Sequence, residues 1–352
     1  MIEMTGGDNL YLCTGAPLTG SLLKKLQSFL LSCHLEYDPN IRFTAAMMED
    51  DEIIATGSLD GCTIKCVAVS PAYQGEDLTA KILTVLFQEA ARMGLSHLML
   101  YTKPHNQYLF SGLGFHPVIR TADVLLMENR AHGLRDFLHG LDKPHNAHTP
   151  VGCIVANANP FTLGHRHLVE TAARDCAWVH LFILSEDRGM FSPDERLHMA
   201  RQACADLPNV LVHPTGPYMV SSSTFPSYFL KDQAQAPAVH CELDLRLFGE
   251  KIAPALGITH RYVGTEPLCP VTSQYNARMK ALLPEYGIDV IEIHRRAADG
   301  SPISASRVRE LIRQADFDAL MPLLPLSTLQ AIRENHDKEI LPCPIPTECS
   351  EI

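Results

Sequence analysis

The chain has 352 residues, 46% hydrophobic and 20% charged, with a formal net charge of −11. That length suits two domains with cores of their own, and the composition excludes a disordered or fibrous chain. The acidic balance argues against a nucleic-acid backbone as the main partner, and neither a membrane span nor a secretion signal is legible, so the expectation is a cytoplasmic protein working without nucleic acid or membrane.

In chain order, strand-like runs appear at Phe43 to Met48, Glu52 to Ser58 and Thr63 to Val69. A helical pattern from Leu78 to Met93 and a strand at His97 to Thr102 follow, which predicts a small α+β domain around one helix. The polar stretch KPHNAHTP, residues 143–150, is bounded by two prolines and reads as a linker between domains at 1–142 and 151–340, with a loosely held tail at 341–352. Beyond the linker, strand-like runs at Val151 to Ala156, Val179 to Leu184, Val210 to His213, His260 to Val263 and Val290 to His294 alternate with helical patterns. Such alternation predicts an α/β fold, a doubly wound parallel sheet whose ligands sit at the carboxyl ends of the strands. The eleven cysteines contain no CxxC pair and are expected as reduced thiols, Cys62 and Cys66 included.

The first strand of the second domain runs into Asn157-Ala158-Asn159-Pro160-Phe161-Thr162-Leu163-Gly164-His165 and then a helix. Proline ends the strand, Gly164 permits close approach of a ligand, and the helix start offers free N–H groups to phosphate. His165 and Thr162 are the candidate donors to a triphosphate, stabilising charge as pyrophosphate leaves. Near the other end of the domain, Ile303-Ser304-Ala305-Ser306-Arg307-Val308-Arg309 opens another helix. Its serines are N-cap residues on general grounds and, with the arginines, also form an anion site.

Together the two segments resemble the HxGH nucleotidyltransferase superfamily, with Thr162 in the place of the first histidine and an ISSTxxR-like second signature. The resemblance implies Thr162 and His165 as catalytic residues. It implies ATP contacts from Asn159, Phe161, Gly164, Thr265, Glu266, Ser304, Ser306 and Arg309, with Lys231 and Arg307 as weaker candidates; Arg309 is the motif arginine and Arg307 fills a variable slot. Read at length, NANPFTLGHRHLVE, SYFLKD, ITHRYVGTEPLCPVT and ISASRVRELI resemble the citrate lyase ligase family. That implies adenylation of acetate by ATP, with Mg²⁺ on the triphosphate. Acetylation then falls on the thiol of the phosphoribosyl-dephospho-CoA group on the citrate lyase acyl carrier subunit. No carboxylate cluster names the metal ligands.

In the first domain, VAVSPAYQGEDLTAKILTVLFQEAARMG and LFSGLGF resemble the GNAT acetyltransferases, whose Gly-rich turn wraps a CoA pyrophosphate. Here that turn reads Gln74-Gly75-Glu76-Asp77-Leu78-Thr79, with an acid where the second glycine belongs. Both a docking platform and a site for the CoA-like arm remain open readings. The competing functions are an adenylyltransferase acting on phosphopantetheine or nicotinamide mononucleotide, and an N-acetyltransferase with a nucleotide-sensing domain.

Overall fold

The computed structural model describes all residues except 1–2, 5–9, 145–147, 188, 220–224, 231, 267–269, 299 and 341–352. It begins with a meander: β1 (Leu10–Gly15), α1 (Gly20–Ser32), β2 (Phe43–Glu49), β3 (Glu52–Asp60) and β4 (Thr63–Val69). Asp50 and Asp51 both take left-handed backbone, φ 46 and 68, so a two-residue turn joins β2 to β3 with the twist that antiparallel strands favour. Then come α2 (Leu78–Arg92), β5 (Met99–Thr102), α3 (Gln107–Gly112), β6 (His116–Arg120), β7 (Leu125–Glu128) and α4 (Gly133–His139). These strands order as β1-β2-β3-β4-β5-β7-β6, with the short segment Glu3–Met4 beside β1. Helix α2 buries Ile82, Leu83 and Leu86 on the sheet. Its approach depends on Gly57, where a Cβ would come within 2.6 Å of Ile82 Cγ2 and 3.0 Å of Leu86 Cδ1.

β4 and β5 pair in parallel only at Thr63 with Met99 and Ile64 with Leu100. Beyond that point they diverge around a cavity of about 630 Å³, whose lining includes Val67–Val69, Tyr101–Lys103 and the start of α2.

The second set of elements is β8 (Val151–Ala156), α5 (Leu163–Asp175), β9 (Trp178–Ile183), α6 (Pro193–Ala203), β10 (Val210–Pro214), β11 (His260–Gly264), α7 (Pro270–Leu282), β12 (Asp289–Ile293), α8 (Ala305–Arg313) and α9 (Leu326–Ile340). Its five strands order as β10-β9-β8-β11-β12 and all pair in parallel. The winding direction reverses between β8 and β11, so their carboxyl ends flank the switch-point crevice where such sheets bind ligands. One face carries Ile154, Leu181, Ile183 and Tyr262 into a core shared with Val169, Met199, Val308 and Leu329. The described cysteines are all free thiols.

The chain divides into two compact units, one of residues Met1–Leu141 with Pro217–Leu256, the other of Asp142–Gly216 with Gly257–Ile352. The first crossing falls beside the 143–150 stretch. The excursion at 217–256 departs from the simple two-segment division, for a physical reason. Its Tyr218, Phe225, Tyr228 and Phe229 are buried. Tyr218 donates to the Glu128 carboxylate at 2.7 Å, the Tyr228 carbonyl accepts from the Glu36 amide, and the helix Ala236–Leu247 packs beside β6. Burial alone would raise the Glu128 carboxyl, but donation from His97, Tyr218 and the Leu134 amide holds it below the usual range.

Candidate active site

The chain leaves β8 through a loop with little freedom. Ala158 is 1% exposed and takes a left-handed φ of 49, unfavourable for a residue with a Cβ and therefore held by its surroundings. The main support is Arg196 on α6, whose side chain is fully buried. Its Nη1 donates to the Asn157 carbonyl at 2.9 Å and to Asn157 Oδ1 at 2.7 Å, Nε to the Phe191 carbonyl at 3.2 Å, and Nη2 to the Glu186 carbonyl. A buried guanidinium saturated by carbonyls is a rigid strut, because freeing any one acceptor would leave charge unsolvated. Asn159, 6% exposed, accepts from the Phe191 amide at 3.2 Å and completes the seat of the loop.

At the start of α5, Thr162 is the N-cap and His165 occupies the third helical position, joined in a reciprocal capping box. The Thr162 amide donates to His165 Nδ1 at 3.0 Å, and Thr162 Oγ1 lies 2.9 Å from the same nitrogen. Since Nδ1 accepts, the neutral ring carries its proton on Nε2. Burial, then the charge of Arg295, push the His165 pKa down to about 4. His165 is therefore a neutral Nε2–H donor at physiological pH. The Thr162 hydroxyl, 2% exposed, holds this tautomer, and the fully buried Phe161 ring packs 5.4 Å from the imidazole. The Leu163 amide donates to the Leu323 carbonyl at 2.9 Å, whereas the Gly164 amide meets no described acceptor.

The second signature meets the first in space. A Cβ on Gly164 would stand 3.5 Å from the Ile303 carbonyl and 3.7 Å from Ile303 Cβ, so the two segments are in van der Waals reach. Ser304 is the N-cap of α8, accepting from the Arg307 amide at 3.2 Å. Ser306 instead accepts from Arg309 Nη2 at 3.0 Å, while Arg309 Nη1 donates to the Asn159 carbonyl at 2.7 Å. Arg309 thus ties the two motifs together across 150 positions of sequence. Arg307 is exposed, and Lys231 lies outside the described residues.

At the end of β11, the Thr265 amide donates to the Ile293 carbonyl at 2.9 Å, aligning the ends of β11 and β12. Arg295, not singled out by sequence reasoning, lies across this end: Nε donates to the Thr265 carbonyl at 2.7 Å and Nη2 to the Glu266 carboxylate. The signal available for it was only an HRR run after a strand. Arg196 had even less, lying within a capped helix start, SPDER, that reads as ordinary helix.

A doubly wound parallel sheet with two helix N-termini joined at its switch point, one holding a neutral histidine donor, defines a nucleotidyltransferase-type α/β protein. The family model described as citrate lyase ligase C-terminal domain matches residues 151–332. A [citrate [pro-3S]-lyase] ligase of Klebsiella pneumoniae is 42% identical over 319 residues, 89% of this chain and 93% of that protein. The chain belongs to the citrate lyase ligase family. A phosphopantetheine adenylyltransferase of Acidovorax sp. strain JS42 is 50% identical over 56 residues, covering 15% of this chain and 34% of that protein. Among solved structures, an acyl-CoA N-acyltransferase from Pseudomonas aeruginosa matches 34% of this chain and 99% of its own, at 18% identity and a TM-score of 0.30. Among the described residues no helix is long and apolar enough to cross a membrane.

Proposed function

We propose that this chain uses ATP to adenylate acetate and passes the acetyl group to the thiol of the CoA-like prosthetic group on the acyl carrier subunit of citrate lyase, activating that enzyme. The observation carrying this reading is the union of the two helix N-termini by Arg309 beside a neutral His165 donor, in a chain that follows a citrate lyase ligase over 89% of its length. An acetate oxygen attacks the α-phosphorus, the bond to the bridging oxygen breaks, and pyrophosphate departs with the electron pair. The thiol then attacks the acetyl carbonyl of the adenylate, AMP leaves, and the thiol proton passes to solvent. His165 Nε2–H and the Gly164 amide donate to the phosphoryl oxygens whose charge grows in the first step, while Arg309 and Ser306 hold the phosphates on the α8 side.

Mg²⁺ in this reading arrives on the triphosphate. Among the described residues no group of three or more His, Cys, Asp or Glu side chains is arranged for a metal, and an ion held by phosphate oxygens and water needs none.

The cavity between β4 and β5 is the place we assign to the prosthetic arm of the carrier. Its walls combine apolar side chains such as Val67 and Leu109 with Lys103 and His105, a lining suited to an extended amide chain with a polar end. Asp77 stands at the start of α2, so it disfavours a diphosphate at that end.

Pyrophosphate release measured with acetate, citrate, phosphopantetheine or no acceptor, with and without thiol-form citrate lyase, tests the reaction. Release supported by acetate, with acetyl transfer to citrate lyase, is the expected result. Release supported by phosphopantetheine alone would replace it with adenylyl transfer to a phosphorylated acceptor.

A further inference from the structure

Within the second unit, Arg196 and Arg166 have all three guanidinium nitrogens engaged by described residues. Arg309 and Arg295 each keep one nitrogen that donates to no described residue, Nε in Arg309 and Nη1 in Arg295. Arg295 is the one of these two paired with a carboxylate. It is anchored on one edge only, through Nε to the Thr265 carbonyl and Nη2 to the Glu266 carboxylate, while its own amide donates to Thr265 Oγ1 at 3.3 Å. Nη1 donates to no described residue. The Arg295 side chain keeps 28% exposure, whereas that of Glu266 keeps 7%. A guanidinium fixed along one edge by a nearly buried carboxylate, with its outer edge meeting no described acceptor, is preorganised to receive an oxyanion, because little side-chain freedom remains to be lost on binding.

The position fits such a role. Arg295 lies across the end of β11, with Cγ 3.8 Å from where a Gly264 Cβ would stand, and β11 is the neighbour of β8 at the switch point. The carboxyl end of β8 leads to Thr162 and His165, and the Arg295 charge is felt at the His165 ring. Two anions, a carboxylate and a triphosphate, must meet in this crevice, and their repulsion calls for a cation where they react.

We infer that Arg295 is a substrate-positioning residue whose Nη1 edge receives a reacting oxyanion, supplied by the α-phosphoryl group of ATP or by the acceptor carboxylate. This rests on the adenylation reaction proposed above. Glu266 holds the guanidinium in place and keeps the unliganded crevice near neutral.

The test uses full-length Arg295→Ala and Arg295→Lys variants. ATP affinity is measured by calorimetry without acceptor, acetate KM and kcat by acetate-dependent ATP–pyrophosphate exchange, and stability by thermal unfolding. Loss of a charge-assisted hydrogen bond predicts a rise of about tenfold to a hundredfold in one constant for Arg295→Ala. A rise in ATP Kd assigns the α-phosphoryl group, and a rise in acetate KM assigns the carboxylate. Added methylguanidinium should restore part of the Arg295→Ala rate, and Arg295→Lys should fall between the two, keeping the charge but losing the fork. Removing the cation should also raise the His165 pKa and move the acid limb of the rate profile upward. Unchanged constants, or a loss that tracks the melting temperature and resists guanidinium rescue, would show that Arg295 is only a tie between strand ends. A wild-type protein that exchanges with another acceptor and not with acetate overturns the proposed reaction instead, and the Arg295 comparison is then read with that acceptor.

Discussion

Two strand–turn–helix junctions in this molecule differ in the backbone of the turn and in its charge. At α5 the helix begins on a capping Thr162, its histidine is held neutral, and the Gly164 amide stays open. At α2 the N-cap is Asp77, left-handed with φ 55 and making no side-chain cap, with Gly75 at φ 99 before it. Helix dipoles and free amides are common to both, so they do not decide what binds. The side chain at the turn decides: a neutral donor at α5 adds to the pull on phosphate, and an acid at α2 opposes it.

The largest effect that would sharpen this contrast is separation of the junctions. A truncated chain starting at residue 150 keeps the α5 junction but deprives segment 217–256 of its packing, exposing Tyr218, Phe225, Tyr228 and Phe229, all now buried. At about 2 to 3 kcal/mol for each large side chain, that is of the same order as an ordinary domain's whole stability. We expect low soluble yield, while the second unit's own core can still give a thermal transition; a truncated chain that stays soluble and monomeric, with 217–256 resistant to proteolysis, would show that this segment folds without its partners.

Next in size, His165→Ala should lower ATP–pyrophosphate exchange by about a hundredfold, near 3 kcal/mol of transition-state stabilisation. Because the ring is neutral with its pKa near 4, wild-type exchange should be insensitive to His165 protonation above pH 5 and fall as pH drops through about 4, where Nδ1 gains a proton and gives up its bond from Thr162. The same depression has a stability consequence: the unfolded chain, with a histidine pKa of about 6.5, takes up the proton first. The contribution is complete above that value and is lost as pH falls through about 4. Melting temperature against pH checks the sign.

A smaller and more discriminating pair is Arg309→Ala with Ser304→Ala. The proposed contact of Arg309 with phosphate predicts that Arg309→Ala weakens ATP binding more than it lowers stability, even though the bond to the Asn159 carbonyl is lost with it. The capping bond from the Arg307 amide predicts the reverse for Ser304→Ala, about 1 kcal/mol of stability with ATP affinity nearly unchanged. Calorimetric Kd and thermal melts on both variants separate the two.

The smallest expected change is at the other junction. Asp77→Gly relieves a left-handed residue and removes a charge, adding at most about 1 kcal/mol of stability. Adenylation should be untouched and binding of the carrier's CoA-like arm strengthened; a slower exchange rate in this variant would break the contrast drawn between the two turns.

Local chemistry was legible in the sequence where it was carried by neighbours in the chain. The strand runs at 151–156 and 260–263 are read from their apolar pattern and the Thr162 to His165 segment from its resemblance to a nucleotidyltransferase signature, and their elements lie at β8, β11 and the start of α5. Long-range pairing was not legible. The bond from Arg309 to Asn159, the saturation of Arg196 by three segments and the reach of Arg295 over Thr265 depend on which strand ends the topology brings together. Two serines spaced by one residue looked equivalent, yet helix phase made Ser304 the cap and turned Ser306 toward Arg309. The excursion at 217–256 escaped because a helix between two parallel strands reads as a crossover wherever its apolar face packs.

That excursion also sets an order of events during synthesis. The first unit is unfinished until residue 256 has left the ribosome, and the second cannot pair its central strands β8 and β11 until residue 264 has followed. The first unit therefore cannot close from residues 1–141 alone, and it is completed only after the first half of the second has already been made. The nascent chain must hold an incomplete meander and an incomplete parallel sheet at once, so conditions that slow translation between 217 and 264 should raise its dependence on chaperones. The same interleaving makes exchange of either unit by a single recombination crossover destructive to both.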